Sequence, residues 1–140
     1  MSQFVVYRPS DRIRLSFEGS GITLVLAPLS HEQRIRLASQ ARTEAGAEVS
    51  NANQIYSDTL KMSIKGIEGV DLRYPDGSKF ELDFEADALT EASLDCLTQV
   101  FETEKLAGIS LSLLRNKLKF ELVDGVEVEA RKTKKKQSPQ

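Results

Sequence analysis

Apolar and polar residues alternate strictly at the start of the chain: Ile13, Leu15 and Phe17 are separated by Arg14, Ser16 and Glu18. A period of two sends successive side chains to opposite faces, so this stretch predicts a half-buried β-strand. After Gly19 and Ser20 the apolar set resumes at Ile22, Leu24 and Leu26. A two-residue Gly-Ser loop sets Phe17 against Ile22 and Leu15 against Leu24, which keeps both apolar sets on one face. Glycine at the first loop position suits a type II′ turn. A second hairpin follows the same logic, with Val70, Leu72 and Tyr74 answering Phe80, Leu82 and Phe84 across Pro75, Asp76 and Gly77. Facing Leu72 with Leu82 leaves a loop of about three to five residues. Glu81, Asp83 and Glu85 alternate with those aromatic and aliphatic residues, so they read as a solvated strand face rather than a metal cluster. Near the end, a strict Asp124-Gly125 turn puts Leu122 opposite Glu127 and the faces out of phase. One more loop residue, with Gly125 left-handed in a bulge, sets Leu122 against Val128 and Phe120 against Ala130.

Helical spacing fills the gaps. Ser30 with Gln33 forms a capping-box pattern that opens a helix ended by Gly46. Its apolar stripe is narrow (Leu37, Ala38, Ala41, Ala45), and Arg34, Arg36 and Arg42 decorate the rest. A second helix over residues 50–65 offers Ile55, Tyr56, Leu60 and Ile64 and stops at Gly66. A third opens at Thr90, with Leu89 and Leu94 placed as a hydrophobic staple, and carries Leu94, Leu97, Val100 and Phe101. A fourth, over residues 108–117, presents Ile109, Leu111, Leu113 and Leu114 around most of its circumference. Such a helix must be covered on more than one side. The cover is either the protein's own core or a partner, and the pattern leaves both open. These four side chains are the candidate interface.

The order is therefore hairpin, helix pair, hairpin, helix pair, hairpin. Hairpins with helices packed on one face belong to the α+β class. APLSHE and DALTEA stand at equivalent strand-to-helix junctions, which suggests a repeated plan without measurable internal identity.

Composition agrees with a single folded body. The 140 residues are 40% apolar and 29% charged, enough for one core. The longest uncharged runs fall short of the roughly 18 apolar residues a bilayer demands. The start, MSQFVVYRPS, has no basic stretch followed by an apolar one, so no secretion is expected. Charge is uneven. Arg131, Lys132, Lys134, Lys135 and Lys136 lie in the last ten residues, where no acid occurs. Without these five, 14 basic residues face 21 acidic ones, a net of −7 over residues 1–130. The reading is one acidic α+β domain over 1–130 and a basic tail over 131–140. The tail has no apolar residue to bury, which predicts disorder.

Reactive groups are scarce. His31 is the only histidine and falls in the first turn of a helix, where the positive helix end disfavours an imidazolium. Cys96 is the only cysteine, excludes an internal disulfide, and sits among apolar helical residues as a small hydrophobe. No phosphate-binding glycine loop, zinc ligand set or calcium loop is spaced in the chain. No cofactor and no enzymatic activity are expected. Five tail cations can neutralise about five phosphates, but no aromatic residue lies among them to stack on bases.

Two stretches carry a family likeness. GITLVLAPLSHEQRIRLASQA is similar to small proteins of tailed bacteriophages and prophages, where a hairpin ends in Pro-Leu-Ser/Thr before a capped helix. LKMSIKGIEGVDLRYPDGSKFELDFEADALTEASLDCLTQVF extends the likeness: a helix ending in Ser-Ile and Lys, then Ile-Glu-Gly, a hairpin and a Leu-Thr-capped helix. Over roughly residues 22–104 the chain resembles phage tail-assembly chaperones and their tail-accessory relatives. The resemblance implies a non-enzymatic protein of the host cytoplasm that binds other tail proteins, such as the tape measure and the tail tube. It carries over no site residue, and the basic tail is not part of the pattern. Two other readings stand beside it: a structural virion component (tail-tube, neck or head-tail accessory subunit, with homo-oligomers), and a nucleic-acid-associated module using the tail. No membrane partner is expected.

Overall fold

A computed structural model describes residues 6–43, 48–115 and 126–128. In chain order the elements are β1 (Ile13–Phe17), β2 (Thr23–Leu26), α1 (His31–Thr43), α2 (Glu48–Ser63), β3 (Ile64–Glu68), β4 (Phe84–Glu85), β5 (Ala88–Leu89), α3 (Glu91–Leu97), α4 (Thr103–Leu114) and β6 (Val126–Val128). The α+β class holds. The order differs from three separate hairpins, because β3 and β6 both join the first one. The four strands lie β3-β2-β1-β6, every neighbour antiparallel.

Leu15 faces Leu24 and Ile13 faces Leu26, as the alternation requires. Ile13, Leu15, Leu24 and Leu26 are fully buried. The connecting turn is wider than a two-residue loop. Phe17 donates its N–H to the Ile22 carbonyl at 3.0 Å, and Ser20 closes an inner turn onto the Phe17 carbonyl at 3.1 Å. Gly19 and Gly21 both take positive φ, +80° and +76°, so the glycine after Ser20 also shapes the reversal. The reciprocal capping box at α1 is present: Ser30 N–H reaches Gln33 Oε1 at 2.8 Å and Gln33 N–H reaches Ser30 Oγ at 3.1 Å. In α1 Leu37 is sealed while Ala38 is exposed, so the stripe is narrower than its spacing suggests. The side chains of Ala41 and Ala45, and the stop at Gly46, lie outside the described residues.

The helix expected to stop at Gly66 instead ends at Ser63 and passes straight into β3. β2 pairs with β3 (Leu24 facing Ile67, Leu26 facing Ile64), and Gly66 lies opposite Val25, where the register shifts. The junction is stitched by Ser63, whose hydroxyl donates to the Ala27 carbonyl at 2.6 Å while Ala27 N–H donates back to Ser63 O at 2.7 Å. The second hairpin is also re-registered. Arg73 bridges Lys79 and the Phe80 N–H donates to Leu72 O, so Leu72 faces Phe80 rather than Leu82. A shift of two preserves the facing and leaves a three-residue turn, with Gly77 at φ +92°. Phe84 leaves that hairpin and pairs with Leu89 in the short β4–β5 ribbon.

Thr90 caps α3 by accepting the Ser93 N–H, and Leu89 and Leu94 are buried, as the staple pattern predicts. The helix nevertheless ends at Leu97, and α4 begins at Thr103, five residues earlier than its apolar pattern suggests. The turn between them brings Phe101 against Phe17, ring centroids 4.8 Å apart. α2 packs against α1, α3 and α4. The Ser110 hydroxyl of α4 donates to the Tyr56 carbonyl at 3.2 Å and to its own Leu106 carbonyl at 3.1 Å, so small residues set this contact. One apolar cluster joins the sheet face (Ile13, Leu15, Leu24, Leu26, Ile64) to Leu37, Leu60, Leu97, Leu106, Ile109 and Leu113 of the helices. Every buried side-chain N or O among the described residues has a partner. In the third expected hairpin, Val126–Val128 is a strand, but it pairs with β1; residues 118–122 lie outside the described residues.

Candidate functional site

The four candidate interface residues of α4 separate into two pairs. Ile109 and Leu113 are 0% and 1% exposed and belong to the core, while Leu111 and Leu114 are half-buried on its flank. Arg131, Lys132, Lys134, Lys135 and Lys136 lie outside the described residues. His31 is exposed at the start of α1, and Cys96 is half-buried on α3 instead of sealed in the core. Among the described residues no three His, Cys, Asp or Glu side chains gather to hold a metal ion.

Exposed apolar surface concentrates elsewhere, on the arm formed by residues 69–89. Val70, Tyr74 and Phe84 keep 36%, 43% and 39% of their surface open, and Leu72 and Leu82 are half-buried. Only Ile35 on α1 and Val6 expose comparable apolar side chains among the described residues. Sequence reasoning placed these arm residues on a hairpin's inner face. Their positions were legible, but not their exposure.

The arm is anchored at several points. At its entry Gly69 sits at φ +80°, so close to the first hairpin that a Cβ there would stand 2.0 Å from the Gly21 carbonyl oxygen. Along its length Tyr74 meets Phe80 edge-on at 5.8 Å, and Arg73 pairs with Asp71 at 3.0 Å. At its tip Asp76 accepts both the Ser78 hydroxyl (2.6 Å) and the Ser78 N–H (2.9 Å). Those two bonds hold the Asp76 carboxyl below its ordinary value. At its exit the Asp83 N–H donates to Ser93 Oγ at 2.9 Å, and Thr90 N–H donates to Asp83 O at 3.0 Å. The β4–β5 turn places Ala86 and Asp87 at φ 51° and 66° without a glycine. Lys65 of β3 holds that turn by donating to the Asp87 carbonyl at 2.6 Å, with Nζ 5.9 Å from the Phe84 ring centre. Partial burial lowers the Lys65 pKa, Asp87 opposes that shift, and Arg12 adds to it.

The arm is acidic as well as apolar, with six Asp or Glu against Arg73 and Lys79. Its chemistry suits contact: open rings and aliphatic side chains rimmed by carboxylates, on a strap tied to the sheet and to α3. No family model matches the chain, and no curated protein or solved structure matches it.

Proposed function

We propose that the chain is a non-enzymatic binding protein that acts in the host cytoplasm on other phage tail proteins during assembly, in the manner of a tail-assembly chaperone. The likeness over residues 22–104 motivates the tail partner. The observation that carries the contact mechanism is the open apolar surface of Val70, Tyr74 and Phe84. Side chains of this size left partly in water are favourable to cover, at about 25 cal/mol per Å² of apolar area. An acidic rim keeps such a surface soluble until a partner arrives.

The test is a solubility assay with an apolar helical fragment of the tape-measure protein. The wild-type chain keeps the fragment in the supernatant. Tyr74→Ser with Phe84→Ser loses that effect, while Ile35→Ser on α1 retains it. Equal protection by all three chains overturns the reading.

A structural place in the virion is the second reading, supported by β3 at the end of the four-stranded sheet. Lys65 and Glu68 on that edge strand oppose strand pairing between copies, which favours the chaperone reading. Mass spectrometry of finished particles separates the two, since a chaperone is absent from them.

A further inference from the structure

We propose that the basic segment carrying Arg131, Lys132, Lys134, Lys135 and Lys136 docks in cis on the acidic end of the arm, over Glu81, Asp83, Glu85 and the open face of Phe84. The argument starts from strand directions. β6 runs antiparallel to β1, with Val126 facing Phe17 and Val128 facing Leu15, so the chain leaves β6 toward the Ile13 end of the sheet. Ile13 faces Leu26, and Leu26 faces Ile64, so β3 begins at that same end. Next to Ile64 is Lys65, which is bonded to Asp87 of the arm. The chain's exit and the acidic end of the arm therefore share one end of the sheet.

The distances suffice. From β6 to β3 is three strand spacings, about 14 Å. Twelve residues follow Val128, and an extended chain covers about 3.4 Å per residue, so Lys134 to Lys136 reach roughly 20–27 Å. Charge selects the target. Glu81, Asp83, Glu85 and Asp87 are all exposed, and the arm as a whole carries six acids against two bases. Phe84 remains 39% open beside Lys65, and lysine stems and ammonium groups both pair with such a ring.

Rival occupants fit less well. A second copy's arm brings the same excess of six acids over two bases and is repelled. Nucleic acid is repelled for the same reason. A second copy's tail must bind at its solution concentration, whereas a short tether holds the chain's own tail near millimolar. Docking stands whether or not the arm binds tail proteins; only its consequence, competition for the arm, rests on the function proposed above.

The experiment uses the full chain, 15N-labelled, in two measurements. In the first, a nitroxide is attached at Ser138→Cys in a Cys96→Ala background. At 20 mM NaCl the amides of residues 81–87 lose more than half their intensity, equally at 50 and 500 µM protein. The loss disappears at 500 mM NaCl, where the screening length falls below about 5 Å, and in the Glu81→Gln/Asp83→Asn/Glu85→Gln variant. In the second, which leaves Cys96 untouched, Lys134→Gln/Lys135→Gln/Lys136→Gln shifts those same amides while the rest of the spectrum stays in place. No loss in residues 81–87, a loss centred elsewhere, or a loss that grows with protein concentration overturns the proposal.

Discussion

Replacing Gly69 with alanine isolates a single physical effect, because Gly19 provides a control with the same backbone. Both residues sit at φ +80°. An alanine Cβ at position 19 meets nothing within 4 Å, whereas at position 69 it meets the Gly21 carbonyl oxygen at 2.0 Å. The left-handed backbone costs a non-glycine residue about 1–2 kcal/mol at either site. Losing glycine's freedom in the unfolded chain returns about 0.4–1 kcal/mol, again at both. What remains at position 69 is the collision with backbone, which no rotamer change relieves. Opening that contact requires moving the end of β3 or the first hairpin's turn, at about 1–3 kcal/mol by analogy with overpacked interiors. Urea denaturation followed by far-UV circular dichroism reads the difference. With a slope of about 1.5 kcal/mol/M, the midpoint falls by about 2 M for Gly69→Ala and by about 0.5 M for Gly19→Ala. If the two variants agree within about 0.5 kcal/mol, the arm is not seated against the first hairpin as described, and the anchoring argument fails.

Other substitutions probe the remaining links. Thr90→Ala removes the acceptor for the Ser93 N–H and lowers stability by about 1 kcal/mol, and Ser30→Ala at α1 costs a similar amount; both are measured by the same denaturation. Ile109→Ala, at a fully buried position, costs about 2–5 kcal/mol, whereas Leu111→Ala, half-buried on the same helix, costs about 1 kcal/mol. Equal losses contradict the division of α4 into core and flank. Lys61 bonds the Glu91 carboxylate at 2.9 Å, which raises its pKa above 10.5 despite an opposing effect of burial, with Asp58 adding to the rise. A raised lysine pKa stabilises the fold fully below the unfolded value of 10.5, and that contribution is lost as pH climbs through the higher folded value. The difference in urea midpoint between wild type and Lys61→Met therefore shrinks above pH 10.5; a difference constant to pH 12 refutes the assignment.

Features encoded within a few residues are legible in the sequence. Ser30 and Gln33 announced α1, Thr90 with Leu89 and Leu94 announced α3, and the alternation from Ile13 to Leu26 fixed both strands and their facing. Features set by distant neighbours are not. β3 follows a helical pattern and contains Gly66, so nothing local separates it from a helix end; it becomes a strand because β2 offers it an edge. The β4–β5 turn puts Ala86 at positive φ, where glycine, asparagine or aspartate is expected. The break between α3 and α4 has no glycine or proline, and it brings Phe101 onto Phe17, eighty-four positions earlier in the chain.

The candidate site shows the same limit most sharply. Ile13, Leu15 and Phe17 alternate with polar residues, and so do Val70, Leu72 and Tyr74. Alternation states which side chains share a face, and says nothing about what lies over that face. β1 has a strand on each side and helices beneath it, so its apolar set is sealed. The arm's hairpin has one bridge, Arg73 to Lys79; it buries Phe80 and packs Leu72 and Leu82 against the core, but leaves Val70, Tyr74 and Phe84 partly open. Two stretches with one pattern thus reach different ends, one sealed and the other covered only in part. A search for function in this chain therefore belongs on the arm, where the pattern that normally builds a core is only partly covered and Val70, Tyr74 and Phe84 stay open.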